Sequence, residues 1–374
     1  MVKLVTSMVL LTFVSACGAL NSSAVEIVDT TQKKGGVEIV DTAQKKGNDG
    51  KGAVIARSQI WTQTNVRTMD IRTGPQEAGA FPFTATVTCD YYQKDLSGAS
   101  PKFPCRAGTD ELKVKYGPNN AEVFGEVAAT RLMWALGFGA DRMYSVKVVC
   151  RGCPSSLGGI ARENKEYLFD PATVERKMPG RELEPDSSWS WTELDAVDEA
   201  RGGAPVAHRD ALKLLAVFLQ HTDTKPDQQR IVCLGEVAGE SATAANCARP
   251  LMMVSDVGLT FGRANLFNTN GKGMNYVAWA ATPVWKEGEK CVGNLPKSLT
   301  GTLNNPAISE AGRAFLADLL MQLSDDQISA LFEVARVNLR LRDPGKAKSG
   351  LATVDEWVDV FKRKRAEIVE RRCA

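Results

Sequence analysis

The distribution of cysteine limits what this chain can fold into more than any other feature of its sequence. Nine of its 374 residues are cysteines. One lies at position 17, and the other eight form an even set, which is consistent with up to four disulfides in an oxidising compartment. Eight cysteines can be paired in many ways, but proximity in the sequence favours Cys89–Cys105, Cys150–Cys153, Cys233–Cys247 and Cys291–Cys373.

Cys150 and Cys153 form a C-x-x-C motif, which also occurs in redox-active sites and as half of a zinc site. The motif follows the β-type run 144–149, whereas a reactive thiolate is favoured at a helix N-terminus, where its pKa is lowered. The sequence contains no second C-x-x-C motif. We therefore expect a structural bridge here rather than redox or zinc chemistry.

The first 17 residues have the layout of an export signal. Lys3 precedes an apolar stretch over 4–14, and Val14-Ser15-Ala16-Cys17 places a cysteine directly after small residues. This arrangement resembles a bacterial lipobox, which implies that Cys17 is lipidated and anchors the protein to a membrane. The alternative, a transmembrane helix, needs about 20 apolar residues, and this stretch is shorter. We expect a lipid-anchored protein of the cell envelope, on its periplasmic or extracellular face.

Residues 18–56 are predicted to form a flexible tether. The segment 25–30, V-E-I-V-D-T, returns at 37–42, and each copy continues into Gln-Lys-Lys-Gly. Two copies are too few for a solenoid, and the Gly- and Lys-rich continuation favours a spacer. The remaining residues, 57–374, exceed what one hydrophobic core usually serves, so we expect two lobes, at about 57–180 and 181–374.

Charge and histidine content exclude several kinds of function. Lys and Arg number 46 and Asp and Glu number 44, so the net charge of +2 argues against a nucleic acid partner. The chain has two histidines, which excludes a three-histidine zinc site. Any nucleophile–histidine mechanism would have to use His208 or His221.

The order of the predicted elements indicates an α+β fold. Residues 58–116 carry β-type runs, including 83–88 and 112–116, and one helix follows at about 118–137. Apolar residues recur at helical spacing over 209–220 and 310–323, and 324–327 form a capping box that predicts another helix. A small β-rich lobe with one helix, followed by a larger, mainly helical lobe, predicts a cleft between them.

Glu126 is the first residue that calls for a partner. It lies on the apolar helix 118–137, where a carboxylate is costly unless it is paired. Glu122, one turn earlier, is explained as part of a capping box with Asn119 as N-cap. The nearest basic candidates are Lys113 and Lys115, which share one face of the preceding strand. The pattern predicts a strand–helix ion pair, as found both in nucleotide sites and in ordinary buried pairs.

Two carboxylates follow in positions suited to phosphoryl transfer. Asp223 lies in the loop 221–228, H-T-D-T-K-P-D-Q, at the end of the predicted helix 209–220. Asp256 comes directly after the apolar run 251–254, within S-D-V-G. The first position suits a carboxylate that orients a substrate hydroxyl, and the second suits a ligand of Mg²⁺.

These segments resemble protein-kinase motifs in the same chain order. Residues 221–228 are similar to the catalytic loop H-R-D-L-K-P-E-N, and 255–258 to the metal-binding D-F-G. The resemblance implies a bilobal kinase-like fold that uses ATP or another nucleotide with Mg²⁺ or Mn²⁺. It implies that Asp223 is the catalytic carboxylate, Lys225 a phosphate contact and Asp256 a metal ligand. Lys115 and Glu126 would form the nucleotide-positioning pair, with Lys113 beside them.

The chain departs from the ordinary kinase pattern at several points. The metal-binding asparagine is replaced by Gln228, with Asp227 as an alternative ligand, and no Ala-Pro-Glu segment follows. The glycine pattern 74–79 is the sole candidate for the phosphate-covering loop. These departures are typical of the atypical branch, which includes HipA-like, phosphoinositide-kinase-like and secretory kinases.

The sequence therefore supports two functional hypotheses. The first is an exported phosphotransferase that moves a phosphoryl, or a nucleotidyl, group onto a hydroxyl of a protein or small molecule in the envelope. The second is a disulfide-stabilised pseudokinase that acts as a binding module, because export removes the protein from the main supply of ATP. In a third interpretation, the charged residues are ordinary buried pairs of an unrelated fold.

Overall fold

The computed structural model describes residues 50–373 with the exception of 263 and 265. The predicted lipobox with Cys17, and nearly all of the predicted tether, lie outside these residues. The described chain begins with helical residues 50–56, here α1.

The first sheet is formed almost entirely by the chain before residue 180. Its strands are β1 (Thr86–Tyr91), β2 (Lys102–Ala107), β3 (Asp110–Tyr116), β4 (Arg142–Arg151), β5 (Ile160–Ala161) and β6 (Glu166–Arg176). In β1, buried and more exposed residues alternate, as expected of a strand with one face on a core. β1–β2–β3 form antiparallel neighbours, β1 pairs in parallel with β4, and β6 runs antiparallel to both β4 and β5.

A further pairing closes this sheet into a ring of five strands. β3 pairs with β2 on one side and with β6 on the other, where Val114, Lys115 and Tyr116 face Val174, Thr173 and Ala172. The strand that contains Lys115 is therefore held by hydrogen bonds along both edges. This leaves the backbone around Lys115 little freedom to shift.

Helix α2 (Glu122–Leu136) packs against the ring and against a later helix, α6. Every residue of this helix except Trp134 is buried. This is possible because small and apolar residues cover nearly the whole circumference of the helix. The helix ends at Gly137, whose φ of 86° is the left-handed conformation that favours glycine at this position.

The second half of the chain contributes a smaller sheet and most of the helices. The sheet order is β10-β8-β7-β9, from β7 (Arg181–Glu184), β8 (Gln229–Cys233), β9 (Ala242–Thr243) and β10 (Pro250–Val254). The helices are α3 (Val206–Leu219), α4 (Tyr276–Ala281), α5 (Glu310–Met321), α6 (Asp325–Val334) and α7 (Val354–Glu370). Short 3-10 turns occupy Val66–Thr68, Ser155–Leu157, Glu163–Lys165, Trp191–Ala196, Glu199–Arg201, Pro226–Gln228, Asn270–Lys272 and Val337–Leu339.

The helical part is centred on an aromatic core. Trp279 stacks on Trp357 with ring centroids 5.5 Å apart, and Phe332 lies 5.6 Å from Trp357. The capping box predicted at 324–327 is present at the start of α6, where Ser324 and Gln327 bond each other's backbone. The mixed α+β class predicted from the sequence is confirmed.

Four disulfides join the cysteines that proximity in the sequence favours. Cys89–Cys105 links β1 to β2, and Cys105 Sγ lies 4.0 Å from Cys150 Sγ of the neighbouring Cys150–Cys153 bridge. Cys291–Cys373 ties the C-terminal segment back to the chain across 82 residues. The bridges indicate an oxidising environment. Of the helices in the described residues, none is both long and apolar enough to cross a membrane.

Candidate functional site

Lys115 lies at the centre of a buried cluster of charged side chains. Its Nζ is 2.5 Å from Oε1 of Glu126 and 2.7 Å from Oε2 of Glu122, two residues one turn apart on α2. Lys115 and Glu126 are both 2% exposed. Because β3 leads into α2 through a short connection, its last residues face the first turns of the helix. The predicted strand–helix pair is thus present, and Glu122, predicted to be part of a helix cap, is a second carboxylate on the same lysine.

Lys113 occupies the same face of β3 but has a different partner. It forms an ion pair with Glu175 of β6, and its side chain is 36% exposed. Burial would raise the pKa of Glu175, but Lys113 and Lys177 outweigh it and hold the pKa below its usual value. Of the two lysines that the sequence offered as partners of Glu126, Lys115 is the one that makes the contact.

Asp256 joins this cluster from the end of β10. Two glycines permit the approach: a Cβ on Gly125 would lie 2.7 Å from the Gly258 carbonyl oxygen, and a Cβ on Gly258 would lie 2.3 Å from Cγ of Glu122. Asp256 Oδ1 accepts a hydrogen bond from the Gly258 amide at 3.1 Å. Burial would raise the pKa of Asp256, but Lys115 and the Gly258 amide more than offset it, so the pKa lies well below its usual range.

The charge of Asp256 also acts on Glu126. Burial raises the pKa of Glu126 well above its usual value, although Lys115 acts in the opposite direction. Oε2 of Glu126 is buried and accepts no hydrogen bond from the described residues. The negative charge of Asp256 raises the pKa of Glu126 further. The cluster thus places two carboxyl groups with opposite pKa shifts beside one lysine.

Asp223 lies in the loop after α3, beside two side-chain amides. Gln228 Nε2 donates to Asp223 Oδ2 at 3.3 Å, and Asn268 Nδ2 donates to Oδ1 at 3.4 Å. Lys225 Nζ is 3.7 Å from Oδ2. Burial raises the pKa of Asp223 to about 6, with Lys225 lowering it and Asp256 raising it further.

Backbone hydrogen bonds fix the two aspartates relative to each other. The Gln228 carbonyl accepts from the amides of Ser255 at 2.9 Å and Asp256 at 3.3 Å. This bonding continues the antiparallel pairing of β8 with β10, in which Gln229 faces Val254. Asp223, Asp256, Lys115 and Glu126, selected separately from the sequence, are therefore brought into one region.

His221 has a structural position. It is 1% exposed and its ring centroid lies 6.0 Å from that of Trp191. Burial lowers the pKa of His221 to about 4, so the ring is neutral near pH 7. Neither ring nitrogen bonds any of the described residues. A buried, neutral imidazole without a polar contact does not act as the base of this site.

The structure adds three residues that the sequence did not indicate. Asn270 Nδ2 donates to Glu122 Oε1 at 3.0 Å, which orients the second carboxylate on Lys115. Asn268 bonds Asp223 as described. Lys102 on β2 is the register partner of Lys115, and burial lowers its pKa while Glu122 opposes that effect. A single lysine at the start of a strand does not by itself indicate a binding site. The two asparagines lie in a segment without helical or strand periodicity, so the sequence gives no indication of where their side chains lie.

The donor groups fit a cation that is shared with phosphate oxygens. The described residues contain no group of three or more His, Cys, Asp or Glu side chains arranged to hold a metal. Mg²⁺ at nucleotide sites is typically held by one or two carboxylates together with phosphates and water. Asp256 supplies an ionised carboxylate, and Asn268 Oδ1 is buried without a donor among the described residues. Gln228 presents its amide nitrogen to Asp223 in the present orientation.

The glycine pattern 74–79 lies beside the helix rather than at a strand hairpin. Gly74 packs on Arg131 of α2, and Glu77 forms an ion pair with Arg142 at 3.0 Å. The loop 92–101 lies between β1 and β2, and its last residue contacts the chain that follows Lys115. The Tyr116 amide donates to the Pro101 carbonyl at 3.3 Å, and Asn120 Nδ2 donates to the same oxygen at 3.0 Å. The end of this loop therefore lies beside the connection from β3 to α2.

Comparisons with known proteins give limited information. No protein-family profile and no curated protein sequence matches the chain. Among solved structures, it is similar to the crystal structure of a Helicobacter pylori proinflammatory kinase, CtkA, at 11% identity and a TM-score of 0.39. The match covers 77% of this chain and 96% of that one. At this TM-score the likeness supports no statement about activity.

Proposed function

We propose that the protein is an atypical kinase-like phosphotransferase that uses a nucleotide and Mg²⁺ to modify a hydroxyl group. The observation that carries the proposal is the convergence of the buried Lys115–Glu126 pair with Asp256 and Asp223. Phosphoryl transfer depends mainly on positioning and charge stabilisation, and these are the residue types that supply both. An ordinary buried ion pair does not require two further aspartates, one with a raised and one with a lowered pKa.

Each residue has a distinct role in this proposal. Lys115, fixed by Glu126 and Glu122, binds phosphate oxygens, and Lys225 adds positive charge near Asp223. Asp223 accepts the proton of the acceptor hydroxyl. Asp256, with the Asn268 or Gln228 side-chain oxygen, would hold the metal ion. The bound ion would neutralise charge on the phosphates.

The proposal also assigns larger parts of the chain. Residues 57–180, with the strand ring and α2, would be the smaller lobe, and 181–374 the larger one. The loop 92–101 lies where β1 turns into β2, so we assign it, instead of 74–79, as the cover over the phosphates. Cys17 would anchor the protein to the envelope membrane, and the acceptor would be a protein or small molecule there.

Nucleotide binding tests this function. The midpoint of thermal unfolding is measured with ATP and Mg²⁺, because a ligand that binds only the folded state raises it. We expect a concentration-dependent rise for the wild type and none for Lys115→Met. A second substitution, Asp223→Asn, is used below to test turnover. Asp227→Asn is its matched control, since Asp227 lies in the same loop but its side chain is 71% exposed. Absence of a shift with every nucleotide tested would rule the proposal out.

A pseudokinase that acts as an envelope binding module is the second candidate. It is favoured by Gln228, whose amide nitrogen rather than oxygen faces Asp223. The two candidates differ in turnover. Nucleotide hydrolysis or transfer that Asp223→Asn abolishes, with Asp227→Asn active, excludes the pseudokinase. If the wild type and Asp227→Asn both bind nucleotide but neither turns it over, the phosphotransferase hypothesis is excluded.

A further inference from the structure

A cavity lies at the other end of β10 from Asp256. It has a volume of about 510 Å³, which is within the range of sites for small organic ligands. Four separate segments form it: the chain after α1, the turn at 201–202, Leu234 after β8, and the residues that lead into β10. Trp61 contributes a half-buried indole, whose Nε1 donates to the Leu136 carbonyl at 2.6 Å. The cavity therefore has one rigid aromatic wall.

The charged residues of this cavity are all arginines. Arg57, Arg201 and Arg249 line it, and none of the described residues that line it is acidic. Arg249 is exposed and its guanidinium bonds no described residue. Arg201 makes a 3.5 Å contact with Asp198, a residue whose side chain is 47% exposed. The cavity therefore carries a positive charge that the protein itself compensates only in part.

Arg57 is held in place by the neighbouring loop. Its Nη1 donates to the Cys247 carbonyl at 2.6 Å and its Nη2 to the Ala244 carbonyl at 2.9 Å. Cys247 is in turn bridged to Cys233 at the end of β8. A guanidinium that is fixed before binding loses less entropy when it contacts an anion, and its remaining N–H groups stay available.

The cavity is separate from the site around Lys115. Leu136 lies ten positions after Glu126 along α2, which is a rise of about 15 Å. Asp256 lies six positions after Pro250, which is about 20 Å if the chain is extended. The two sites are thus at opposite ends of the two elements that they share.

We propose that this arginine cavity binds the phosphate group of a small organic phosphate ester. Arginine matches the paired oxygens of phosphate, and three arginines suit a group with more than one negative charge. The Trp61 ring and Pro250 give the organic part an apolar contact. The ester comes either from a soluble metabolite or from a phospholipid headgroup. The second source has support from position, because Arg57 follows directly on the segment predicted to lead to the lipid anchor.

Calorimetric titration tests the proposal on the purified full chain. The probe for the soluble source is glycerol 3-phosphate, with inorganic phosphate alongside. We expect saturable binding that Arg249→Glu and Arg201→Glu each weaken by about tenfold to a hundredfold, as expected for the loss of a charged hydrogen bond. Arg162→Glu, the same charge change at an exposed arginine elsewhere, is the control. Two exposed positions are used because exposed substitutions leave folding intact.

Vesicles distinguish the two sources. Binding of the protein is measured by flotation with vesicles that contain or lack anionic phosphatidylglycerol. Cys17 is replaced in the protein used for this assay, so that no lipid is attached to it. If the protein binds vesicles but not glycerol 3-phosphate, and Arg249→Glu removes the vesicle binding, the cavity binds a lipid headgroup. If it binds glycerol 3-phosphate but not vesicles, and Arg249→Glu weakens that binding, the cavity binds a soluble ester. The proposal is overturned if neither probe binds saturably, or if Arg162→Glu weakens binding as much as Arg249→Glu. Nucleotide binding at Lys115 is read separately with ATP, so failure of one proposal does not decide the other.

Discussion

Glu122 Oε2 lies 2.7 Å from Lys115 Nζ, on the same lysine that contacts Glu126. The two glutamates are four residues apart and occupy one face of α2. Asn270 holds Glu122 from the other side. The lysine is therefore shared between a carboxylate fixed by a side-chain amide and one whose pKa is raised by burial and by the charge of Asp256.

The first prediction concerns the buried carboxyl group of Glu126. Burial raises its pKa, so an ionised carboxylate is costly at this position, and glutamine keeps the shape of the side chain without the charge. Glu126→Ala leaves a cavity and removes one of the two carboxylates on Lys115, and it should cost about 2–4 kcal/mol of the free energy of unfolding. We expect Glu126→Gln to cost less, because it leaves no cavity. Urea unfolding measures both, and equal losses would contradict this expectation.

The second prediction is the pH dependence that Asp223 imposes. Its pKa in the folded protein is about 6, above the ordinary value of 3.8, so the folded state binds the proton more tightly than the unfolded state. This contribution to stability is complete below about pH 4 and is lost as the pH rises through 6. At pH 7, Asp223→Asn should be more stable than the wild type by up to about 3 kcal/mol, and at pH 4 the two should be similar. Urea unfolding at both pH values gives the comparison.

Activity should have the opposite dependence on pH. Asp223 accepts a proton only when it is ionised, so transfer should rise with pH through about 6 and then level off. The profile of kcat/KM gives this value for the free enzyme. A profile that is flat between pH 5 and 8 would argue against Asp223 as the base.

The third prediction concerns Gln228. Its amide donates to Asp223 and lowers the pKa of that carboxyl. Gln228→Asn shortens the side chain by one methylene group, so we expect this hydrogen bond to be lost and the pKa of Asp223 to rise above about 6. The pH–rate profile should shift to higher pH. Gln63→Asn, at an exposed position, is the control and should leave the profile unchanged.

The fourth prediction compares two disulfides. Cys291–Cys373 closes a segment of 82 residues and Cys233–Cys247 one of 14. In the chain-entropy model the longer loop stabilises more, by about 4–5 kcal/mol against about 3. The double alanine variant of Cys291 and Cys373 should therefore unfold at lower temperature than that of Cys233 and Cys247. The reverse order in calorimetry would show that loop entropy is not the dominant effect.

The main elements of the candidate site could be predicted because each left a local signal. Glu126 was unusual on an apolar helix, Lys115 was on the preceding strand, and Asp223 and Asp256 followed a helix and an apolar strand. The prediction of Glu122 as part of a capping box with Asn119 is wrong, because α2 begins at residue 122 with Ala121 as its N-cap. The carboxylate of Glu122 contacts Lys115 instead of the backbone.

Other features depend on pairings between distant segments and left no such signal. The parallel register of Cys89 with Cys150, and the pairing of β3 with β6, bring together residues far apart in the sequence. Asn268 and Asn270 reach the site from an irregular segment, where neither periodicity nor capping patterns apply. The disulfide partners were predictable because three of the four pairs are close in sequence.

The closed ring of strands has a consequence for how a peptide can bind. Many domains capture an extended peptide by adding it to a free sheet edge. In this ring β3 and β6 occupy each other's edges, and within the described residues β5, with Ile160 and Ala161, is the exposed short edge that remains. An edge of two residues offers too few backbone hydrogen bonds for stable strand addition. Strand addition at this sheet is therefore not expected to contribute to the binding of an extended peptide.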